Sequence, residues 1–321
     1  MPEQFCDVGR GITLCYETYG EPSQPTALLV MGLGTQMIAW HYDFCRQLAD
    51  RGLHVVRFDN RDIGHSTHVS GAPPTLAQLL TRSRRAARYS LADMAEDAAA
   101  LLERLSLGRA HVVGASMGGM IAQTLAARHP TSVRSLVSIM SNTGSLFSGQ
   151  PSLRVYSTFL RHAPRERDAF IDHMAGVFAA IGSPGELRDP DEIRELIGAS
   201  YDRDHDPDGP GRQLAAIIAA GNRTAELRRI SVPTLVIHGT ADRLVGFSGG
   251  RATARAIRGA RLMPVEGMGH DLPRVLWPQL IDAIATHALT AEAAAGAGDP
   301  AQEGALTGRR DPSLRAAPIP R

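Results

Sequence analysis

Residues 114 to 118 read Gly-Ala-Ser-Met-Gly, directly after the β-branched run His111-Val112-Val113 and directly before the helix-forming stretch 120–127. The order strand, tight turn, helix restricts the fold more than any other feature of the chain. G-x-S-x-G in that setting is a nucleophile elbow, in which the serine sits on strained backbone angles with its hydroxyl presented at the end of a strand. Gly114 and Gly118 suit it because a Cβ at either position would crowd the turn. Ser116 is therefore the candidate nucleophile, and the following helix would aim its free N–H groups and positive dipole end at the same spot.

Gly246-Phe247-Ser248-Gly249-Gly250 satisfies the same five-residue pattern. Its nearest strand-like run, 234–237, ends about nine residues too early for an elbow, whereas a helical pattern follows directly. Ser248 is expected to be the N-cap of a surface helix rather than a nucleophile.

The partners of Ser116 follow from chain order. Asp242 closes His238-Gly239-Thr240-Ala241-Asp242, just past the strand-like 234–237, and His270 closes Gly267-Met268-Gly269-His270, after the strand-like 260–265. Serine, then acid, then histidine is the order of α/β-hydrolases and differs from that of the two other well-known serine hydrolase folds. Both partners lie beyond the carboxyl ends of strands, where open parallel sheets keep their ligands. A serine hydroxyl is a poor nucleophile at neutral pH, so His270 would take its proton during attack and return it to the leaving group. Asp242 would fix the imidazole tautomer and stabilise the imidazolium. The tetrahedral intermediate needs donors for its oxyanion, each worth about 3 kcal/mol. The backbone N–H of Met117 is one, and Leu33, in the Gly32-Leu33-Gly34 loop after strand 27–31, supplies the other, with Gly34 as the alternative donor.

Strand and helix patterns alternate along the chain, which indicates an α/β fold with a mostly parallel central sheet flanked by helices. Strands are expected at 12–18, 26–31, 53–58, 110–114, 134–140, 233–238 and 261–265, and helices at 41–51, 91–106, 117–128, 248–258 and 274–288. The alternation breaks over 141–229, where helical patterns occur without a convincing strand. That segment is expected to be an inserted helical cap on a core formed by 1–140 and 230–288. Its apolar residues Phe147, Tyr156, Phe159, Val177, Phe178, Ile217 and Ile218 would line or brace an acyl pocket. From 289 to 321 the composition is rich in Ala, Gly, Pro and Arg and is expected to be a disordered tail.

Across residues 5 to 288 the chain resembles the α/β-hydrolases. It is most similar to actinobacterial carboxylesterase/lipase G-type proteins and, more distantly, to the methyl esterases of anthracycline biosynthesis. The residues carrying the resemblance are Met31 to Gly34, Asp59-Asn60-Arg61-Asp62-Ile63-Gly64-His65-Ser66, Asp93 to Asp97, Gly114 to Gly119, Pro233 to Asp242 and Gly267 to His270. The resemblance implies an α/β-hydrolase fold and a Ser-His-Asp triad. Many relatives carry His-Gly where this chain has Met31-Gly32, so the backbone donor survives while the usual histidine contact is absent.

Composition narrows the chemistry further. All 34 basic residues are arginine, which excludes Schiff-base, lysine-nucleophile and P-loop lysine mechanisms; the bias reads as that of a GC-rich genome. A formal charge of +1 gives no reason to expect nucleic acid. The first residues show neither a basic n-region nor an apolar h-region, and no apolar run approaches 18 residues, so a cytoplasmic protein without membrane insertion is expected. Cys6, Cys15 and Cys45 lack CxxC spacing and are expected as buried small hydrophobes.

Four other features carry less. Asp204 to Gly209 starts like a calcium loop, but Ala215 stands where the bidentate glutamate belongs. His65, His68 and Asp62 are too few for a typical zinc site, so no metal is expected. Arg82, Arg84, Arg85 and Arg88 read as a solvated helix face rather than a lipid contact. Gly32-Leu33-Gly34 after a strand suggests a dinucleotide fingerprint, yet Met37 occupies its third glycine position, so no cofactor is expected.

The expected activity is cleavage of small, hydrophobic carboxylic esters by a serine hydrolase through an acyl-enzyme. Methyl ester, lactone or carbon–carbon hydrolysis of polyketide or aromatic metabolites on the same triad is the alternative. The alternative of another class is a ligand-binding protein that keeps the fold without catalysis.

Overall fold

Strands β1 (Gln4–Gly9), β2 (Ile12–Tyr19), β3 (Thr26–Val30), β4 (His54–Phe58), β5 (Ala110–Ala115), β6 (Val133–Ile139), β7 (Thr234–Gly239) and β8 (Arg261–Val265) form one sheet in the order β1-β2-β4-β3-β5-β6-β7-β8. The computed structural model describes residues 2–296 apart from 76, 79–80, 82–83, 153–154, 156–162 and 188. Strands β3 to β8 run parallel, while β2 pairs antiparallel with both β1 and β4. Strand β1 is an addition to the seven expected from the sequence. It pairs through a two-residue turn at Arg10 (φ 56°) and Gly11 (φ 72°), the left-handed pair that matches hairpin twist.

The helices are α1 (Tyr42–Ala49), α2 (Leu91–Arg104), α3 (Met117–Arg128), α4 (Arg167–Ile181), α5 (Pro190–Arg203), α6 (Gly209–Ala220), α7 (Thr224–Leu227), α8 (Ser248–Ala256) and α9 (Trp277–Gly296). A capping box starts α2: Ser90 Oγ accepts the Asp93 N–H at 3.2 Å and the Asp93 carboxylate accepts the Ser90 N–H at 2.8 Å. Successive residues of the central strands point to opposite faces. Leu28, Val30, Val112 and Leu136 pack with Met94, Leu101, Ile121 and Leu125 on one side. Leu29, Val55, Val113 and Val137 pack with Phe44, Leu48, Leu280 and Ile284 on the other. Such two-sided burial is what a parallel sheet requires.

Helices α4 to α7 fill the connection from β6 to β7, with no strand among the described residues. Of the residues expected to line a pocket there, Val177 is buried in a small cluster with Val155 and Ile181, and Ile217 packs against the main core. Phe178 and Ile218 are half-buried. Phe147 is 98% exposed and braces nothing, a correction to the sequence expectation. Tyr156 and Phe159 lie outside the described residues, as do Arg82 and the Arg84 side chain. Arg88 lies against Gly71, where an added Cβ would stand 2.8 Å from the guanidinium carbon.

A second correction concerns the chain end: α9 continues to Gly296, well past the composition change at 289, because alanines propagate a helix readily. Residues 297–321 of the expected tail lie outside the described residues. Among the described residues no helix is long and apolar enough to cross a membrane. Cys6, Cys15 and Cys45 are free and buried, and burial pushes the Cys45 thiol up to about 12.

Candidate active site

Strand β5 ends at Ala115 and α3 begins at Met117, leaving Ser116 alone in the turn with φ 55° and ψ −118°. That backbone is strained for a residue bearing a side chain. It persists because its surroundings determine it: the Ser116 N–H donates to the Ile139 carbonyl at 2.9 Å, and the flanking glycines admit no alternative. A Cβ on Gly114 would overlap the Gly118 carbonyl, and one on Gly118 would overlap the Val30 carbonyl. Both glycines are therefore required by close backbone approach.

The other two predicted side chains meet Ser116 from distant parts of the chain. Asp242 follows β7, and its carboxylate is fully buried. Its Oδ1 accepts the N–H groups of Leu244 at 2.9 Å and Val245 at 2.8 Å. Its Oδ2 lies 2.8 Å from His270 Nδ1. His270 Nε2 lies 2.9 Å from Ser116 Oγ. Hydroxyl, imidazole and carboxylate thus form one hydrogen-bonded series spanning 154 residues between Ser116 and His270. Such a series can move a proton from the hydroxyl to the ring while the carboxylate holds the ring orientation.

The His270 loop is fastened to the helical insertion. The His270 N–H donates to the Ile181 carbonyl at 2.9 Å, at the end of α4. Ser183 donates to Asp271 through its N–H at 2.9 Å and its hydroxyl at 2.5 Å, and its Oγ accepts the Gly269 N–H at 2.8 Å. Burial raises the Asp271 carboxyl above the ordinary carboxylate range, with the Ser183 bonds working against it. Sequence reading missed Ser183 and Asp271, whose pairing crosses 88 residues.

The loop after β3 lies beside Ser116: a Cβ on Gly32 would stand 3.2 Å from the Ser116 Cβ. Among the described residues, the N–H groups of Leu33 and Met117 meet no acceptor. Gly34 differs, since its N–H donates to Gln213 Oε1 at 2.8 Å. That bond removes Gly34 from the set of free donors and corrects its assignment as the alternative.

Ser248 stands apart from this cluster. Phe247, not Ser248, is the N-cap of α8, with no side-chain cap, and Ser248 Oγ accepts the Gly149 N–H at 2.9 Å.

Among the described residues two other clusters bring possible metal ligands together: Glu3, Cys15 and His65, and Asp62, His68 and Asp206. Each already holds a guanidinium. Arg203 lies 2.6 Å from Glu3, and Arg212 lies 2.8 Å from Asp62 and 2.6 Å from Asp206. The positive charge a cation would bring is supplied by the chain itself.

A family model describing the alpha/beta hydrolase fold matches residues 25–273. A rhodomycin D methylesterase of Streptomyces peucetius is 28% identical over 297 residues, covering 86% of this chain and 95% of the relative. A bifunctional esterase/perhydrolase of Acinetobacter calcoaceticus is 24% identical, covering 82% and 91% respectively. The solved enol-lactonase of Burkholderia xenovorans superposes with a TM-score of 0.67 at 23% identity, covering 91% of this chain and all of that one. That likeness concerns the fold. With the match spanning β3 to β8, the elbow and both partner loops, the chain belongs to the α/β-hydrolase family.

Proposed function

We propose that this protein hydrolyses carboxylic esters through an acyl-enzyme formed on Ser116. The observation that carries the reading is the continuous series from Ser116 Oγ through the His270 ring to Asp242, on a serine held at φ 55°. With its proton on Nδ1 donated to Asp242, His270 presents the Nε2 lone pair to the serine hydroxyl. Ser116 Oγ adds to the ester carbonyl as its proton passes to His270. The imidazolium returns that proton to the departing alcohol, leaving the acyl group on Ser116. Water then repeats the sequence and releases the acid.

The oxyanion of each tetrahedral intermediate is taken by the N–H groups of Met117 and Leu33. Both donors lack another acceptor among the described residues; Met117 adjoins Ser116, and Leu33 follows Gly32, where an added Cβ would stand 3.2 Å from the Ser116 Cβ. Helices α4 to α7 act as a cap over this site, and the preferred substrate is a small, hydrophobic ester. None of these steps calls on a cofactor.

The methylesterase relative, which matches across most of both chains, favours a second reading in which the alcohol leaving group is methanol and the acid is an aromatic polyketide. Lactones and carbon–carbon substrates would use the same three side chains. The test is a panel on the purified protein: p-nitrophenyl esters from acetate to palmitate, a methyl ester of an aromatic polyketide, and a lactone. Ester turnover supports the reading, and the methyl ester outpacing the others selects the second. Absence of turnover on every member, with reversible binding of one of them, assigns the fold to a ligand-binding role instead.

A further inference from the structure

Gln213, in α6 of the helical insertion, is fully buried and lies 179 residues along the chain from Gly34. Its Oε1 accepts the Gly34 N–H at 2.8 Å, and its Nε2 donates to the Arg61 carbonyl at 2.9 Å. The other end of the same peptide is also held, because Thr35 Oγ1 donates to the Leu33 carbonyl at 3.1 Å. The plane joining Leu33 to Gly34 is thus fixed at its C=O and at its N–H. Pro210, one turn before Gln213, backs the loop: a Cβ on Gly34, whose φ is 64°, would stand 3.2 Å from the Pro210 Cβ. A neighbouring tie has the same origin, since Gln36 Nε2 donates to the carbonyls of Ser200 at 2.7 Å and Asp204 at 2.9 Å, in and just after α5.

We infer that Gln213 is a positioning residue for the oxyanion site, fixing the Leu33 backbone so that the Leu33 N–H, and not that of Gly34, meets the substrate oxygen. The inference rests on the ester-hydrolase reading above. Gln213 touches neither substrate nor Ser116; it acts through the loop. By engaging the Gly34 N–H it removes a competing donor and stops the Leu33–Gly34 plane from turning. Productive geometry tolerates a displacement of only about 0.5 Å or 10–20°. The helical insertion therefore completes the catalytic machinery as well as covering it.

The test compares wild type with Gln213→Met, which keeps side-chain length and makes neither bond. Each is assayed for kcat, KM and inhibition by a trifluoromethyl ketone substrate analogue and its unfluorinated parent. Ser116 Oγ adds to the fluorinated carbonyl while its proton passes to His270, so affinity for that ketone reads the oxyanion site. Since removing one oxyanion donor outright costs about 10²–10³ in kcat, displacing one is expected to lower kcat about 10- to 100-fold. KM should stay within about threefold, because ground-state binding does not use the donor. The preference for the fluorinated ketone should fall by the same factor as kcat. Gln213→Glu keeps an acceptor for the Gly34 N–H and is expected to bind the fluorinated ketone far better than Gln213→Met. Should Gln213→Met fail to fold, Gln213→Asn, one methylene shorter, serves in its place. A full wild-type preference in Gln213→Met, or identical behaviour of the Met and Glu variants, overturns this inference alone. A wild type that shows no preference for the fluorinated ketone overturns the ester-hydrolase reading and this inference with it.

Discussion

His238 Nε2 lies 3.6 Å from the Asp242 carboxylate, yet its hydrogen goes to the Val245 carbonyl, at 2.7 Å. The Val245 N–H in turn donates to Asp242 Oδ1. His238 therefore braces the turn that presents the acid without pairing with the acid itself. Gly250 permits this arrangement, since a Cβ there would stand 2.5 Å from His238 Nδ1.

Replacing that brace should weaken catalysis while leaving binding intact. His238→Asn is expected to lower kcat about tenfold, the kinetic equivalent of one hydrogen bond, with KM little changed. Steady-state kinetics on any turned-over ester check this. A variant with wild-type kcat removes His238 from the support of Asp242.

Burial lowers the basicity of His111, to about 4, chiefly by desolvation and against the pull of Glu292. A folded value below the ordinary one means that the unfolded chain binds the proton more readily. The stabilising contribution of neutral His111 is complete above about pH 6.5, the ordinary value for histidine, and is lost as pH falls towards about 4. His111→Asn lacks that titration. The Tm advantage of wild type over His111→Asn should therefore shrink steadily between pH 7 and pH 4.5. A difference independent of pH contradicts this.

The glycines around the elbow divide into two kinds. Alanine at Gly114 or Gly118 would overlap backbone carbonyls that have no room to retreat, so neither variant is expected to give a folded protein. Gly32→Ala meets the Ser116 Cβ at 3.2 Å and the Ala115 carbonyl oxygen at 3.4 Å, approaches that a shift of a few tenths of an ångström relieves, and should fold with a Tm close to wild type. Its effect should fall on kcat, through displacement of Ser116. Circular dichroism melts alongside kcat separate the two kinds. A fully stable Gly118→Ala, or an unimpaired Gly32→Ala, counts against the close approaches described.

Ser183→Ala removes the hydroxyl that serves both Asp271 and the Gly269 N–H. Leaving a buried polar group short of a partner costs about 1–3 kcal/mol. The variant should show that loss in chemical denaturation, together with a lower kcat, because the same loop carries His270. Unchanged stability would detach this network from the fold's support of the histidine.

What could be read from the sequence was what local chemistry dictates. The elbow at Gly114 to Gly118 is a strand-turn-helix junction complete within a dozen residues. Strands β3 to β7 follow from runs that a parallel sheet buries on both faces. Strand β1 escaped because one of its faces is wet: Phe5 is exposed while Cys6 and Val8 are buried, so its run is too mixed to stand out. The extension of α9 to Gly296 was hidden because alanine-rich sequence suits a helix and a loose tail alike. Ser248 was displaced by one position from its expected cap. Gln213, Ser183, Asp271 and His238 were not legible as site residues. Their roles depend on which carbonyl or N–H they reach, and for the first three that partner lies 86 to 179 residues away.

The most direct measurement treats the protein with a fluorophosphonate and maps the modified peptide by mass spectrometry. Nucleophilic attack by Ser116 requires the adduct on that residue. It also requires that Ser116→Ala take no label and that Ser116→Ala and His270→Ala each lose about 10⁴- to 10⁶-fold in kcat, as triad variants do. Labelling at Ser248 or elsewhere, or a Ser116→Ala variant that retains a tenth of wild-type turnover, would contradict it.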